Sequence, residues 1–255
     1  MKNESKMHFL EHLEELRKRI IFSLISIVIF FVPSYFFSKE IFDFLMTPII
    51  KSLPEGSSLI FIRPAEGFLT YLKVAIFASF CCSFPVILYQ IWSFISPGLY
   101  KKEKNIVIPF IFFGTTFFLC GAFFCYSIAA PQGFKFLLGE YTTEYVKAFP
   151  SIKEALSFLM SLMIGFGLIF EFPLIIFILS RLGIVTSTFL RNNRKYSFLI
   201  SAIAAAFITP TTDAISMMFM LIPLFIFYEI GIVVALIFGK EKTKNELPQE
   251  PEIFE

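Results

Sequence analysis

Five carboxylates in this chain stand where an ionised or protonatable group could do chemistry, and they suggest more than one kind. In HLEELRKRI at 12–20, Glu14 and Glu15 are mixed with Arg17, Lys18 and Arg19 directly ahead of the apolar run IFSLISIVIFFVPSYFF. A segment that only anchored such a run would do better with Lys or Arg at both positions. One reading is local: on a helix Glu14 meets Lys18 and Glu15 meets Arg19, and such i,i+4 pairs are worth about 0.2–0.5 kcal/mol each. The other is that Glu15 awaits a cation on a partner, since a carboxylate accepts a guanidinium through two parallel hydrogen bonds. Glu103, the one acid among Lys101, Lys102 and Lys104 in FISPGLYKKEK at 94–104, poses the same choice between a neutralised loop acid and a second grip on a basic peptide.

Glu171, in GFGLIFEFP at 165–173, is of another kind, and reads as the one ionisable residue deep inside an apolar span. Insertion of a charge at that depth costs about 2.5–3.5 kcal/mol, so an intramembrane acid suggests either a protonated carboxyl bonded to a neighbouring helix or a titrating transport site. Pro173 follows, removing a backbone donor and kinking the helix beside the acid. Asp213 closes TPTTD at 209–213 and suits a helix N-cap, where its side chain accepts from the first free amides.

Nothing else supplies a reaction. There is no G-x-S-x-G, H-E-x-x-H or P-loop, and His8 and His12 both lie near the N-terminus. Cys81, Cys82, Cys120 and Cys125 all fall within apolar runs, as small hydrophobes rather than metal ligands or disulfide partners. Neither an enzyme nor a metal or cofactor site is expected. No basic stripe suits nucleic acid.

The elements that position these acids are membrane spans. The 255 residues are 56% hydrophobic with 37 Phe and only 16% charged residues, and mean hydropathy is +0.76. A water-facing surface could not hide so many rings. About 20 apolar residues cross a hydrocarbon core, which predicts spans at about 20–37, 74–92, 106–130 and 155–180. The apolar stretch 196–238 is broken by TPTTD into two more, a short one at 196–208 and a full one at 214–238. The 13-residue arm reaches only about 20 Å and needs a thinned bilayer or shelter by neighbours. An all-α, six-span membrane domain over 1–240 results, with a disordered polar tail at 241–255.

Orientation follows from Lys and Arg. Fifteen fall in the N-terminal segment, the loops after spans two and four and the C-terminal tail, against six in the opposite loops. Both termini are therefore expected in the cytoplasm. In the first outer loop, Phe42, Leu45 and Ile49 recur at helical spacing and predict a short amphipathic helix capping the bundle. Pro33, Pro85, Pro109 and Pro223 predict bent helices and a concave bundle, and Trp92, Phe94 and Tyr100 an interfacial aromatic belt.

Four motifs in order, HLEELRKRI, PVILYQIWSFISPGLYKKEK at 85–104, GFGLIFEFP and TPTTD, resemble the TatC family, the multispanning receptor subunit of the twin-arginine protein translocase. The resemblance runs from about residue 8 to 240. It implies a six-span, glove-shaped bundle in the cytoplasmic (inner) membrane, with both termini inside. It also implies binding of the twin-arginine signal peptides of folded precursors, and export powered by the proton-motive force with TatA-type and TatB-type single-span subunits in a self-associating complex. By motif position, Glu15 and Glu103 would contact the signal arginines, with Phe94 beside them and Arg17 in the same motif. Pro48 matches a sensitive proline of the outer cap, Glu171 the polar residue of the concave face, and Thr209, Pro210 and Asp213 the region where single-span partners dock. Met217 stands where members tend to carry Gln, and the turn has two threonines, Thr211 and Thr212. From a different class, a proton-coupled small-solute transporter centred on Glu171 is the rival reading.

Overall fold

The computed structural model describes residues 2–95, 107–139, 148–208 and 214–239. Among these the regular structure is helical apart from one isolated parallel bridge between Ile60 and Ser151. Among the described residues, five helical stretches are long and apolar enough to cross a membrane: 11–36, 66–95, 107–139, 152–181 and 220–238.

α1 (Lys2–Phe36) carries the HLEELRKRI segment and the first apolar run as one rod, with Pro33 inside it. A turn at Phe37 leads into α2 (Ser38–Lys51), the short helix expected from the spacing of Phe42, Leu45 and Ile49. Leu45 and Ile49 are fully buried and Phe42 packs at the edge of the same core. α3 (Glu66–Ile95) starts eight residues before the expected span and holds Pro85 without a break.

The third apolar run goes further than its sequence suggests. α4 (Val107–Phe124) passes through a π turn, Cys125–Ala129, into α5 (Ala130–Gly139), so the helix continues past residue 130. Pro131 would otherwise break the ladder, because it lacks an N–H and its ring crowds the carbonyl four residues back. The π turn opens the helix immediately ahead of it. The turn is used: Tyr126 stacks on Phe44 of α2 at 4.4 Å and donates its hydroxyl to the Phe44 carbonyl at 2.8 Å. Pro109 sits in the first turn of α4, where the missing N–H interrupts nothing.

The fourth run is divided into α6 (Ile152–Phe170) and α7 (Phe172–Arg181) by a turn at Glu171. Pro173 sits in the first turn of α7, so the proline break lies where the sequence puts it. α8 (Ser187–Asn192), unforeseen in a stretch read as loop, starts at Thr186, whose side chain accepts from the Phe189 N–H at 3.2 Å. α9 (Arg194–Ile208) and α10 (Ala214–Phe238) match the expected last arms, with α9 two residues longer.

Packing follows chain order: α1 lies on α3, α3 on α4 and α6, α4 on α6, α7 on α10, and α10 on α9. The main core gathers Leu45 and Ile49 of α2, Val74 of α3, Cys125 of the π turn, and Leu156, Leu159 and Phe166 of α6. α4 and α6 touch through glycine. A Cβ on Gly121 would lie 2.6 Å from the Phe166 carbonyl, and one on Gly167 2.5 Å from the Phe118 ring. Elsewhere the surface is rich in exposed Ile, Leu, Val and Phe, and most of α1 beyond residue 20 is exposed, as befits a hydrocarbon solvent.

Candidate functional site

At the end of the bundle where α1 and α3 lie side by side, three contacts set the geometry. Glu15 pairs with Arg19, one turn further along α1, at 3.1 Å. The same guanidinium donates across to Gln90 of α3 at 3.4 Å. One turn beyond Gln90, Phe94 stacks against His12 with ring centroids 4.4 Å apart and planes 15° from parallel. Glu14 makes the second expected pair, with Lys18 at 3.2 Å, both side chains being exposed. Both i,i+4 pairs of the sequence reading are thus present, while Arg17 is exposed on the same helix.

Two concavities flank Arg19. One, of about 400 Å³, is lined by Glu11, Glu14, Glu15, Lys18 and Phe22 as well as Arg19. The other, of about 290 Å³, is apolar, with Leu16, Ile20 and Leu24 of α1 facing Ile87, Ile91 and Phe94 of α3. An acidic cleft and an apolar groove therefore meet at one guanidinium. A peptide with a basic head and an apolar stretch has a place for each.

Glu171 lies apart, at the turn between α6 and α7, and is 5% exposed. Its Oε1 has no hydrogen-bond partner among the described residues. A Cβ on Gly114 of α4 would come within 3.3 Å of its Oε2, so the carboxyl occupies the space which that glycine leaves. The adjacent groove, about 770 Å³ between α4, α7 and α10, is walled by Phe113, Phe117, Phe170, Leu174, Phe227 and other apolar side chains. Pro48 is buried in α2; its carbonyl accepts from Ser52 Oγ at 2.8 Å, and the same hydroxyl reaches the Pro131 carbonyl at 3.4 Å. Glu103, Thr209, Pro210 and Asp213 fall outside the described residues.

Three features escaped the sequence reading. Glu171 is not the only acid within an apolar run: Glu229 lies in α10 and pairs with Arg194, the first residue of α9, at 2.7 Å. The aromatic pattern of FYEIG masked it, although an acid flanked by apolar residues on both sides was the visible signal. Glu66 is the second. It is 5% exposed at the start of α3 and accepts from the Ile62 N–H at 2.7 Å and the Ser151 hydroxyl at 3.3 Å. It ties the loop between α2 and α3 to the start of α6, beside the Ile60–Ser151 bridge. Trp92 is the third: it is buried against Phe110 at 4.8 Å instead of standing in an interfacial belt.

The sequence model of the family described as Sec-independent protein translocase protein (TatC) matches residues 11–223. The chain belongs to the TatC family. Among its TatC relatives, the Sec-independent protein translocase protein TatC of Desulforapulum autotrophicum is 42% identical over 245 residues, covering 96% of this chain and 90% of the relative. That of Aquifex aeolicus is 37% identical over 239 residues, covering 93% and 98%. A crystal structure of the twin-arginine translocase receptor TatC superposes with a TM-score of 0.80 at 37% identity, covering 89% of this chain and 98% of that one. This TatC-family chain is thus a multi-pass membrane component of a protein translocase, and the matched region contains the α1–α3 end, Glu66, Pro48 and Glu171.

Proposed function

We propose that this protein is the signal-peptide receptor of a twin-arginine translocase, and that recognition takes place at the α1–α3 end. The observation that carries the reading is the junction at Arg19, where a cleft bearing Glu11, Glu14 and Glu15 adjoins an apolar groove ending at Phe94. A signal peptide has a basic head followed by an apolar stretch, and its chemistry matches the two concavities in that order. Glu15 takes a signal arginine, Phe94 packs against the peptide, Arg17 lies in the same helical segment, and Glu103 supplies a second carboxylate from the following loop.

The membrane arrangement in this reading is a single domain over 1–240 with six spans, α9 being the short fifth, both termini in the cytoplasm and 241–255 a polar tail. The distribution of Lys and Arg supports it. Export of folded precursors is driven by the proton-motive force with TatA-type and TatB-type single-span subunits, in a self-associating complex in the cytoplasmic membrane. The partners dock near Thr209, Pro210 and Asp213, Pro48 stiffens the outer cap, and Glu171 is the intramembrane polar site. The rival, a proton-coupled solute transporter, draws little support from the surroundings of Glu171, because the groove beside it is apolar throughout.

The test is cross-linking of the detergent-purified protein to a peptide with paired arginines and to its twin-lysine counterpart. Labelling should depend on arginine, and Glu15→Ala combined with Glu103→Ala should weaken it about ten-fold or more, the scale of a lost charge-assisted hydrogen-bonded pair. Equal labelling by both peptides refutes the receptor reading.

A further inference from the structure

The carboxylate assigned to a signal arginine already holds one. Arg19 Nη2 lies 3.1 Å from Glu15 Oε1, while Nη1 of the same guanidinium reaches Gln90 Oε1 at 3.4 Å, at the outer limit of a hydrogen bond. Arg19 Nε is buried and bonded to nothing among the described residues. A guanidinium has five N–H donors in a rigid fork, so this one is held by few of them. Both members of the ion pair are 31% exposed, which leaves their attraction substantial but reversible. Gln90, by contrast, is buried on α3, which fixes the position of its amide oxygen.

We propose that Arg19 is a built-in stand-in for the ligand's arginine, and that Gln90 sets how readily it yields. In the empty receptor Arg19 neutralises Glu15 and keeps the carboxylate from unspecific cations. An incoming guanidinium takes over Glu15, and Arg19 swings toward Gln90, which remains its partner when Glu15 is lost. A lysine head offers Glu15 only a point charge and no fork, so it displaces the resident guanidinium less well. Discrimination between arginine and lysine therefore has a competitive component set inside the receptor. This inference rests on the assignment of Glu15 to the signal peptide.

The test is binding of a fluorescent peptide, two arginines ahead of an apolar segment of about ten residues, to the full chain in detergent. Arg19→Gln removes the competitor and should tighten binding about two- to five-fold, the range of a partly exposed ion pair. Lys18→Gln removes an equal charge one residue away, from a pair with Glu14, and should tighten it less. Gln90→Glu gives Arg19 a stronger resting place and should tighten binding; Gln90→Leu leaves Arg19 to Glu15 alone and should weaken it. Opposite signs at one position are the signature, since a merely structural Gln90 would lose affinity in both variants. The inference is overturned if Arg19→Gln leaves affinity unchanged or lowered, or if the two Gln90 variants move together. It is equally overturned if the Gln90→Glu gain survives in the Arg19→Gln background, which would mean that the new acid binds the peptide itself. Loss of binding in Glu15→Ala with no response to Arg19 or Gln90 sinks the stand-in alone. Wild-type binding that ignores Glu15→Ala sinks the site assignment as well.

Discussion

Replacing Gly167 by Ala should weaken the bundle although alanine is the better helix former. A Cβ there would stand 2.5 and 2.6 Å from two ring carbons of Phe118, nearly 1 Å inside ordinary contact. The ring has nowhere to go. Phe118 is fully buried, stacked on Phe84 with centroids 3.8 Å apart and met edge-on by Phe80 at 6.0 Å. Overpacking of this kind costs about 1–3 kcal/mol, against a helix-propensity gain of about 0.8–1 kcal/mol for Gly to Ala. Gly133, also within a helix, supplies the control, because a Cβ there meets nothing within 4 Å. The propensity gain is common to both, so the difference between Gly167→Ala and Gly133→Ala isolates the packing cost, about 1–3 kcal/mol. Thermal unfolding of the purified protein in one detergent, read as the loss of monodisperse protein on heating, measures that difference. Shrinking the ring should restore stability, so Phe118→Leu combined with Gly167→Ala should lose less than the two single effects added together. Equal midpoints for the two glycine variants would refute the close approach of α4 and α6 at this point.

Three further outcomes follow from polar contacts. Glu66→Ala strands the Ile62 N–H and the Ser151 hydroxyl, at a cost of about 1–3 kcal/mol, and should raise hydrogen exchange at Ile60, Ile62 and Ile152; unchanged exchange would deny that Glu66 ties the loop. Tyr126→Phe keeps the stack on Phe44 but loses the hydroxyl bond to its carbonyl, and should cost about 1 kcal/mol in the same unfolding assay. For Arg194 and Glu229, whose side chains are 52% and 37% exposed, a double-mutant cycle in detergent should give a coupling no larger than about 1 kcal/mol after solvent screening. Exchanging the two charges should keep part of it, and a coupling well above about 1 kcal/mol would refute the solvent screening of the pair.

Periodicity and length made the long helices legible, since about 20 apolar residues leave few options in a membrane. α2 could be read from three residues, Phe42, Leu45 and Ile49, because its buried stripe follows the helical repeat. Boundaries that depend on backbone accommodation were not legible. The expected span stopped at residue 130, whereas Pro131 is an interior residue of the helix through the π turn, which has no compositional mark of its own. α8 stayed hidden because six residues carry too little pattern, and only the Thr186 cap announces it. The partners of Glu15 were readable since they lie one turn apart on one helix. Those of Glu66 and Glu229 were not, because Ser151 and Arg194 are brought to them by tertiary packing.

Because each helix leans mainly on neighbours close to it in the chain, the order of synthesis and the order of packing nearly coincide. α1 meets α3 as soon as α3 is made, α4 joins α3, and α6 completes the set with α4. Arg19 and Gln90 lie 71 residues apart in the chain, a length that a ribosome delivers within seconds at about 5–20 residues each second. The α1–α3 junction with Glu15, Arg19, Gln90 and Phe94 can therefore be in place while α9 and α10 are still being translated. Apolar surface on α7 stays uncovered until α10 arrives, which makes the last hairpin the step at which an unfinished chain is most exposed to quality control.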